Sequence, residues 1–262
     1  MLIVCFEGCH GPYLLFEASL NVVIGSGKSS LCKEVNDMGF RVLDENFLDM
    51  PAYSLHPQSL FMETKWVCSW FDRVLSLARH ERNISRVFFA DRSPFSAVFY
   101  SANGHLLEPL IRAQMKEIAE FANVQFLTIH VNVERELLWK RIQARLLLEP
   151  ERIRYMEHKR SKMEDCLAFY NSFKWDLQIE NTNGSLHQLA EDVVKKLYDE
   201  LPIMQLQVQE MANQKDIASE MEQTDSDCES EMTVSCYDES PVKERLQSIK
   251  DVEPICMDLD MA

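Results

Sequence analysis

"FEGCHGPYLLFEASLNVVIGSGKSSL", residues 6–31, decides the fold of this chain because it holds most of a phosphate-binding loop. GSGKS at residues 25–29 is the second half of the pattern G-x-x-x-x-G-K-[ST]. Val22 stands where the first glycine of that pattern belongs, whereas a matching first half, GCHG at residues 8–11, follows the apolar run 2–6. The stretch is therefore a glycine-rich loop that comes after a predicted strand and is interrupted by extra residues.

The interruption is fourteen residues long. Removing residues 12–25, or equally residues 11–24, leaves FEGCHGSGKSSL, which matches the whole pattern. Fourteen residues correspond to an in-frame stretch of 42 nucleotides, which suggests a short unspliced intron or an alternative exon. If the insertion, residues 11–25, is translated, two structures are open. Either the two halves of the loop meet while the insertion bulges out, or SLNVVI at residues 19–24 replaces residues 2–6 as the first strand.

The C-terminal part of the chain differs in composition from the rest. Residues 203–262 contain 15 Asp and Glu against 4 Lys and Arg, so they carry −11 of the net charge of −15. Such a segment buries too little apolar surface to offset the entropy lost on ordering. We therefore expect one domain over residues 1–202 and a disordered acidic tail over residues 203–262, whose partner is left open. The net acidity argues against binding to a nucleic-acid backbone.

Cysteine usage and hydropathy bear on location. The eight cysteines form no C-x-x-C pair, which is typical of a reduced intracellular protein. The apolar run 2–6 has no basic segment before it, so no secretory signal is predicted. The run from Tyr13 to Ile24 contains Glu17 and Asn21 and is too short to cross a bilayer. We expect a cytoplasmic protein that does not bind membranes.

Short apolar runs alternate with helical patterns over residues 1–201. Strands separated by helices predict an open parallel sheet of about five strands with helices on both faces, which is a three-layer α/β fold. With a glycine-rich loop after its first strand, this fold resembles the P-loop NTPase type. Ligands bind beyond the carboxyl ends of such strands. The predicted strands cover residues 2–6, 40–45, 86–93, 124–133 and 175–181, and the predicted helices cover about 29–38, 57–80, 108–122, 134–148, 151–173 and 185–201.

The glycine-rich loop is the main candidate for binding a nucleotide. Glycines let backbone N–H groups turn toward an anion, and the helix that follows adds its positive end. Lys28 would reach the outer phosphates of ATP, and the Ser29 hydroxyl would bind Mg²⁺. A glycine-rich turn capped by Ser29 or Ser30 is the structural alternative. The predicted cofactor-binding residues are Gly8, Gly25, Ser26, Gly27, Lys28, Ser29 and Ser30.

Charged residues follow the second and third predicted strands. Asp91-Arg92-Ser93 comes directly after VFFA, where a guanidinium can bind phosphate oxygens and a carboxylate can hold Mg²⁺ or orient a hydroxyl. Asp44 and Glu45 end the second strand, where a carboxylate could accept the proton of an attacking hydroxyl. A strand-end ion pair and a solvated carboxylate are the respective alternatives.

A lid is predicted at about residues 141–154. Arg141 and Arg145 are one helical turn apart and share a face. Together with Arg152 and Arg154 they could close over a transferring phosphoryl group. Solvated helix charges are the alternative for each of them.

The helix predicted at residues 57–80 carries aromatic residues at helical spacing. Trp70 could stack on a flat base, and Arg73 could meet a phosphate. An aromatic stripe of this kind is more often part of a core.

With these elements in this order, residues 1–200 resemble the thymidylate kinase and deoxynucleoside kinase group of P-loop enzymes. The resemblance is carried by the glycine-rich loop, the acidic end of the second strand, the D-R-S element, the arginine-bearing lid and the final DLQIENTNGSLHQLAEDVVKKL. It implies transfer of the γ-phosphoryl group of ATP, with Mg²⁺, to a nucleoside or a nucleoside monophosphate. It also implies that Lys28 and Ser29 serve ATP and Mg²⁺, that Glu45 is the base, and that Arg92 holds the acceptor.

The sequence thus predicts a nucleoside or nucleotide kinase. The rival hypothesis is a non-catalytic nucleotide-binding or regulatory protein, in which the opened loop has lost turnover and the acidic tail recruits partners. A homodimer is compatible with either hypothesis. The predicted catalytic residues are Lys28, Glu45, Asp91, Arg92, Arg141 and Arg145, the predicted substrate-binding residues are Glu45, Trp70, Arg73 and Arg92, and the predicted metal ligands are Ser29 and Asp91.

Overall fold

A computed structural model gives the structure of the chain and describes residues 1–9, 25–44, 55–56, 58–80, 86–182 and 184–228. The side chains of residues 151, 154, 155 and 217–228 are not part of this description. Glu45 and residues 10–24, which include nearly all of the predicted insertion, therefore lie outside the described residues.

The described residues form five strands, namely β1 (Leu2–Glu7), β2 (Arg41–Leu43), β3 (Val87–Asp91), β4 (Gln125–Asn132) and β5 (Leu177–Glu180). All neighbouring strands are parallel, and their order across the sheet is β2-β3-β1-β4-β5. The predicted parallel sheet is confirmed. β1 lies at its centre, so whatever follows β1 is flanked by the ends of β3 and β4.

Helices connect the strands, as a parallel sheet requires. The predicted helix over residues 151–173 begins only at Arg160, because a 3₁₀ helix at Pro150–Tyr155 and Met156, with a left-handed φ of 61°, come before it. A second 3₁₀ helix covers Gly104–Leu106. The α-helices are α1 (Lys28–Asp37), α2 (Leu60–His80), α3 (Ser96–Tyr100), α4 (Leu107–Ala122), α5 (Arg135–Leu148), α6 (Arg160–Ser172), α7 (Leu186–Glu200) and α8 (Pro202–Cys228).

Side chains of β1 alternate between two cores, one on each face of the sheet. Leu2, Val4 and Phe6 pack with residues of α1, α7 and α8. Ile3 and Cys5 pack on the opposite face with residues of α2 and α4. Because helices cover both faces, the predicted three-layer arrangement is confirmed. Within the described part of the chain, every helix is too short or too polar to span a bilayer.

The carboxyl ends of the central strands are aligned. Phe6 of β1 lies opposite Asp91 of β3, and Glu7 lies opposite His130 of β4. The backbone N–H of Arg92 donates to the carbonyl of Phe6 at 3.0 Å. This register brings the residues that follow β1 and β3 to the same point on the sheet edge.

A helix, α8 at Pro202–Cys228, occupies the start of the segment predicted to be a disordered tail, and one compact unit extends over Met1–Gln214. Met204 is fully buried. The side-chain Oε1 of Gln207 accepts hydrogen bonds from the backbone N–H groups of Arg86, at 2.6 Å, and Val87, at 3.2 Å. The second unit is Lys215–Ala262, of which residues up to 228 are described.

Candidate functional site

The two halves of the interrupted phosphate loop meet in the folded chain. β1 ends at Glu7, and the N–H of Ser26 donates to the carbonyl of Cys9 at 3.2 Å. Since Leu2–Glu7 occupies the central position in the sheet, the alternative in which residues 19–24 supply the first strand is excluded. Gly25 takes the place in the motif that Gly11 would fill without the insertion. The structure therefore supports the first of the two arrangements, with the loop reassembled across the insertion.

Glycines are required in this loop by both conformation and space. Gly25 and Gly27 have φ values of 65° and 85°, which favour glycine. A Cβ atom placed on Gly8 would lie 2.5 Å from Ser26 Oγ and 2.7 Å from the carbonyl oxygen of Val131. The first half of the motif is thus packed directly against the second half.

Asn181, at the end of β5, anchors the loop from the other side. Its side-chain Nδ2 donates to the carbonyl of Ser26 at 2.8 Å, and its own N–H donates to the carbonyl of Asn132 at 2.7 Å. The side chain is buried. The sequence analysis did not identify Asn181; its position at the end of the last predicted strand was the available signal.

Lys28 and Ser29 begin α1 immediately after Gly27. The Lys28 side chain is buried, and its Nζ donates to the carbonyl of Gly8 at 3.2 Å. The exposed Ser29 donates its hydroxyl hydrogen to Oδ2 of Asp91. The lysine therefore bridges the two halves of the loop, and the serine joins the loop to the end of β3. Ser30 follows on α1 and is half-buried.

Ser29 and Asp91 bring together a hydroxyl and a carboxylate oxygen, and Mg²⁺ binds oxygen ligands of this kind. Asp91 is buried, and its Oδ1 atom has no hydrogen-bond partner among the described residues. A buried carboxylate oxygen without a partner is costly unless a cation or another donor satisfies it. The two predicted metal ligands thus fit the ion at one point beside the loop.

Arg92 is held in an unusual backbone conformation. Its φ of 81° lies in the left-handed region, where a residue with a side chain costs about 1–3 kcal/mol. The side chain is fully buried, and its guanidinium carbon lies 5.3 Å from the centre of the Tyr100 ring. Such strain persists only where the surrounding structure holds the residue in place, and strained residues cluster at functional sites. The conformation turns the chain sharply after Asp91.

The Glu7 side chain holds the D-R-S element, residues 91–93, in place through hydrogen bonds. Its fully buried carboxylate accepts hydrogen bonds from the N–H and the hydroxyl of Ser93, both at 2.7 Å, from the Ser96 hydroxyl at 2.9 Å and from the Tyr170 hydroxyl at 3.2 Å. These four donors compensate for burial of the carboxylate. The sequence analysis assigned no role to Glu7. A charge inside a central strand, directly before the glycine loop, was the signal of a structural anchor.

A second buried acid, Glu63 of α2, was also missed. Burial raises its pKa from 4.5 to about 8, and the nearby charge of Arg92 acts in the opposite direction. The group therefore keeps its proton at neutral pH when this region is folded. Glu63 adds a protonated carboxyl to the buried surroundings of Arg92.

Replacing Glu63 with glutamine tests this protonation state. The free energy of unfolding of the unmodified chain should decrease as the pH rises from about 4.5 to about 8, because in that window the unfolded chain has released a proton that folded Glu63 retains. In E63Q this contribution disappears, so stability should vary less between those limits. Urea unfolding at several pH values measures the free energy of unfolding. E117Q, on the exposed face of α4, is the matched control. An unchanged slope in E63Q would contradict the assignment.

The predicted lid arginines occupy two different environments. Arg141 lies beside the loop, where its guanidinium donates to the carbonyls of Gly25 at 3.4 Å and Thr182 at 2.9 Å. Arg145 points into a buried ionic cluster, where it pairs with Glu149 at 3.4 Å. Burial, together with the nearby charge of Arg152, lowers the pKa of Arg145 to about 10. The structure thus brings Arg141, but not Arg145, to the loop.

The rest of that ionic cluster holds the lid together. Arg152 is almost fully buried and pairs with Glu149 and, at 3.0 Å, with Glu157. Burial raises the pKa of Glu157, and the two arginines oppose this shift. The side chain of Arg154 lies outside the described residues.

The residues predicted to bind the acceptor are dispersed. Trp70 is buried in the core, where its ring contacts Phe71 and Phe126 of β4, and this favours the core alternative over a stacking surface. Arg73 pairs with Asp44 at 2.5 Å, at the end of β2. Asp44 is the last described residue before Glu45. Arg92 is therefore the predicted acceptor residue that the structure places beside the loop.

The chain is similar to solved structures of nucleoside and nucleotide kinases. A deoxyadenosine kinase from M. mycoides, solved with dCMP and dCDP, is 14% identical with a TM-score of 0.45, over 75% of this chain and 99% of that chain. A thymidylate kinase from Candida albicans is 11% identical with a TM-score of 0.45, over 76% and 91%. A thymidylate kinase from Ehrlichia chaffeensis is 14% identical with a TM-score of 0.42, over 75% and 98%.

No protein-family model and no curated protein sequence matches the chain. One fold carries many different activities. The chemistry of this chain must therefore be argued from the side chains at its own site.

Proposed function

We propose that this protein is an ATP- and Mg²⁺-dependent kinase that transfers the γ-phosphoryl group to a nucleoside or a nucleoside monophosphate. The observation that carries the proposal is the contact between Ser29 of the reassembled loop and Asp91 at the end of β3. It joins the glycine-rich loop and Lys28 to the end of β3, which the buried Arg92 follows. This combination suits phosphoryl transfer, which depends on positioning and charge stabilisation.

Each residue of the site would have its own role in phosphoryl transfer. The N–H groups of residues 25–29 and the positive end of α1 would bind the ATP phosphates, with Lys28 adding its charge. Ser29 and Asp91 would hold Mg²⁺, which neutralises phosphate charge when it is bound. Arg92, fixed by its backbone conformation and buried surroundings, would hold the acceptor next to the transferring group.

A nucleoside or nucleotide acceptor is supported by the order of the motif elements along the chain. The D-R-S element, the lid and the last strand follow the loop in the order typical of nucleoside and nucleotide kinases. Glu45 is proposed as the base that accepts the proton of the attacking hydroxyl. Glu63 would contribute a hydrogen-bonding carboxyl near Arg92. The cytoplasmic location expected from the cysteine pattern belongs to the same proposal.

A second candidate is a nucleotide-binding protein without turnover. Lys28 favours it, because its Nζ is buried and hydrogen-bonded to the carbonyl of Gly8 within the interrupted loop. A lysine engaged in holding the two halves of the loop together is less available to the outer phosphates of ATP. In this case the nucleotide would act as a regulatory ligand.

One experiment separates the two candidates. The full chain and a version lacking residues 11–24 are incubated with ATP, Mg²⁺ and a panel of nucleosides and nucleoside monophosphates, and ADP and phosphorylated product are quantified. We expect product from the shortened version at least. ATP binding by both versions without product would establish the non-catalytic alternative, and neither binding nor product would contradict both.

A further inference from the structure

β5 is much shorter than its neighbour β4, and this leaves part of the sheet edge open. Pairing between the two strands begins at Ile129 and Leu177 and runs to Asn132 and Glu180. Among the described residues, no strand therefore lies beside the first four residues of β4 on that side. Thr128, the last of the four, is covered by Asp176, whose N–H donates to the Thr128 carbonyl at 3.1 Å.

The alternation of backbone groups along β4 places hydrogen-bonding groups in this gap. The N–H of Gln125 donates toward β1, to the carbonyl of Met1 at 2.9 Å, whereas the N–H of Thr128 donates the other way, to Asp176 at 2.8 Å. Because successive residues of a strand point their backbone groups to opposite sides, the N–H and C=O of Phe126 face the open side. One donor and one acceptor are thus directed into the gap.

The gap is a cavity of about 520 Å³, which we call the edge cavity. Its walls are the first half of β4, one face of α4, and the residues Lys174, Asp176 and Leu201. Its volume is in the range of sites that bind small organic molecules, about 300–1,000 Å³. Leu2 and Gln125, at the amino ends of their strands, also line it. It therefore lies about 17 Å along β1 from the phosphate loop, at the opposite end of the sheet.

Positive charge gathers around the edge cavity, although the chain as a whole carries −15. Arg112, Lys116 and Lys174 line it, against one acid, Asp176. One carboxylate oxygen of Asp176 is already engaged by the N–H and the hydroxyl of Thr128, at 2.8 and 2.7 Å. Neither lysine forms an ion pair within the described ranges. Two cations are thus available to a ligand.

Arg112 gives the cavity a fixed wall. Its guanidinium carbon lies 4.8 Å from the centre of the Phe95 ring and 5.3 Å from that of the Phe173 ring, and the guanidinium pairs with Glu108 at 2.8 Å. Contacts with both rings and an ion pair restrict its motion. The remaining lining of α4 and β4 is mainly apolar, with Met115, Ala119 and Phe126 among its members.

We propose that the edge cavity binds a small organic anion with an apolar body. The anionic group would pair with Lys116 and Lys174 and accept the hydrogen bond of the Phe126 N–H, and the apolar body would lie against α4 and the side chain of Phe126. This ligand differs from ATP and its acceptor, which belong to the phosphate-loop end of the sheet. The proposal does not depend on the proposed kinase activity.

The test uses 8-anilinonaphthalene-1-sulfonate as the probe and N-phenyl-1-naphthylamine, which lacks the sulfonate, as its uncharged counterpart. Fluorescence titration of the full chain should show one saturable site for the anion and at least tenfold weaker binding of the uncharged compound. Charge reversal in K116E/K174E should weaken binding of the anion at least tenfold. The control K195E/K196E makes the same charge change on exposed positions of α7. It should change the affinity for the anion by less than twofold relative to the unmodified chain.

Two further variants address folding and location. A119F fills the cavity without changing charge and should also weaken binding of the anion, while circular dichroism and the unfolding temperature show that each variant is folded. K28M alters the phosphate loop and should leave probe binding unchanged. Equal affinity in K116E/K174E and K195E/K196E, or loss of probe binding in K28M, would overturn the proposal.

Discussion

Replacing Lys28 with methionine is expected to lower kcat/KM for phosphoryl transfer by about 10²- to 10³-fold, the loss typical when one group that stabilises developing charge is removed. Lys28 is a buried cation of the loop, at the first residue of α1. Methionine keeps the length of the side chain and removes its charge. Initial rates of ADP formation, measured over a range of ATP concentrations, give the effect.

Lys33 provides a matched control, since it lies on α1 but is exposed. K33M should keep kcat/KM within about twofold, as surface substitutions usually do. Both variants should have similar unfolding temperatures, which would separate a chemical effect from a folding defect. If K28M turned over as fast as K33M, the loop would not be the phosphoryl-transfer site.

Removing residues 11–24 is expected to strengthen ATP binding on the order of tenfold. The two halves of the loop meet through the hydrogen bond between Ser26 N–H and the Cys9 carbonyl, so each time the cradle forms, a fourteen-residue segment must be closed. The closure entropy for that length is about 2 kcal/mol. Without the segment, Gly25 follows His10 directly and the consecutive N–H groups of the cradle are fixed by the backbone itself. Calorimetric titration with ATP and Mg²⁺ measures the difference.

A replacement of residues 11–24 by a glycine-serine segment of equal length distinguishes length from sequence. If closure entropy dominates, this version should bind ATP no better than the unmodified chain. Equal ATP affinity in the unmodified and shortened chains would contradict the closure argument. It would mean that the interrupted loop is as well ordered as an uninterrupted one.

Most of the fold could be predicted from the sequence because its strands are short, nearly continuous apolar runs between helical patterns. Lys28, Ser29, Asp91 and Arg92 were found by the same logic, since in a parallel sheet the residues after central strands converge. The structure places these four together. Their chemical roles stay predictions until they are measured.

What the sequence did not reveal depends on contacts between distant segments. Glu7 receives hydrogen bonds from residues more than 80 positions away, and the high pKa of Glu63 comes from burial that no local pattern records. Trp70 was ambiguous because an apolar helical face looks the same whether a core or a ligand covers it. Arg145 could not be separated from Arg141 without knowing that Glu149 and Arg152 surround it.

The start of α8 was missed for a different reason. Its apolar positions Met204, Val208 and Met211 follow helical spacing, but the high acidity of the whole segment outweighed this weak signal. Composition averaged over sixty residues concealed a short stretch that packs on the sheet. The first compact unit extends to Gln214, past the predicted boundary at residue 202.

The position of Gln207 has a consequence for how the chain folds during synthesis. Its side chain accepts hydrogen bonds from the first N–H groups of the β3 region, more than 100 positions earlier in the chain. Before α8 has been translated, the Arg86 and Val87 N–H groups lack the Gln207 acceptor, so the sheet reaches its final form only after α8 has been made. Ending translation at residue 202 would release a domain that exposes the apolar site of Met204 to chaperones and proteases.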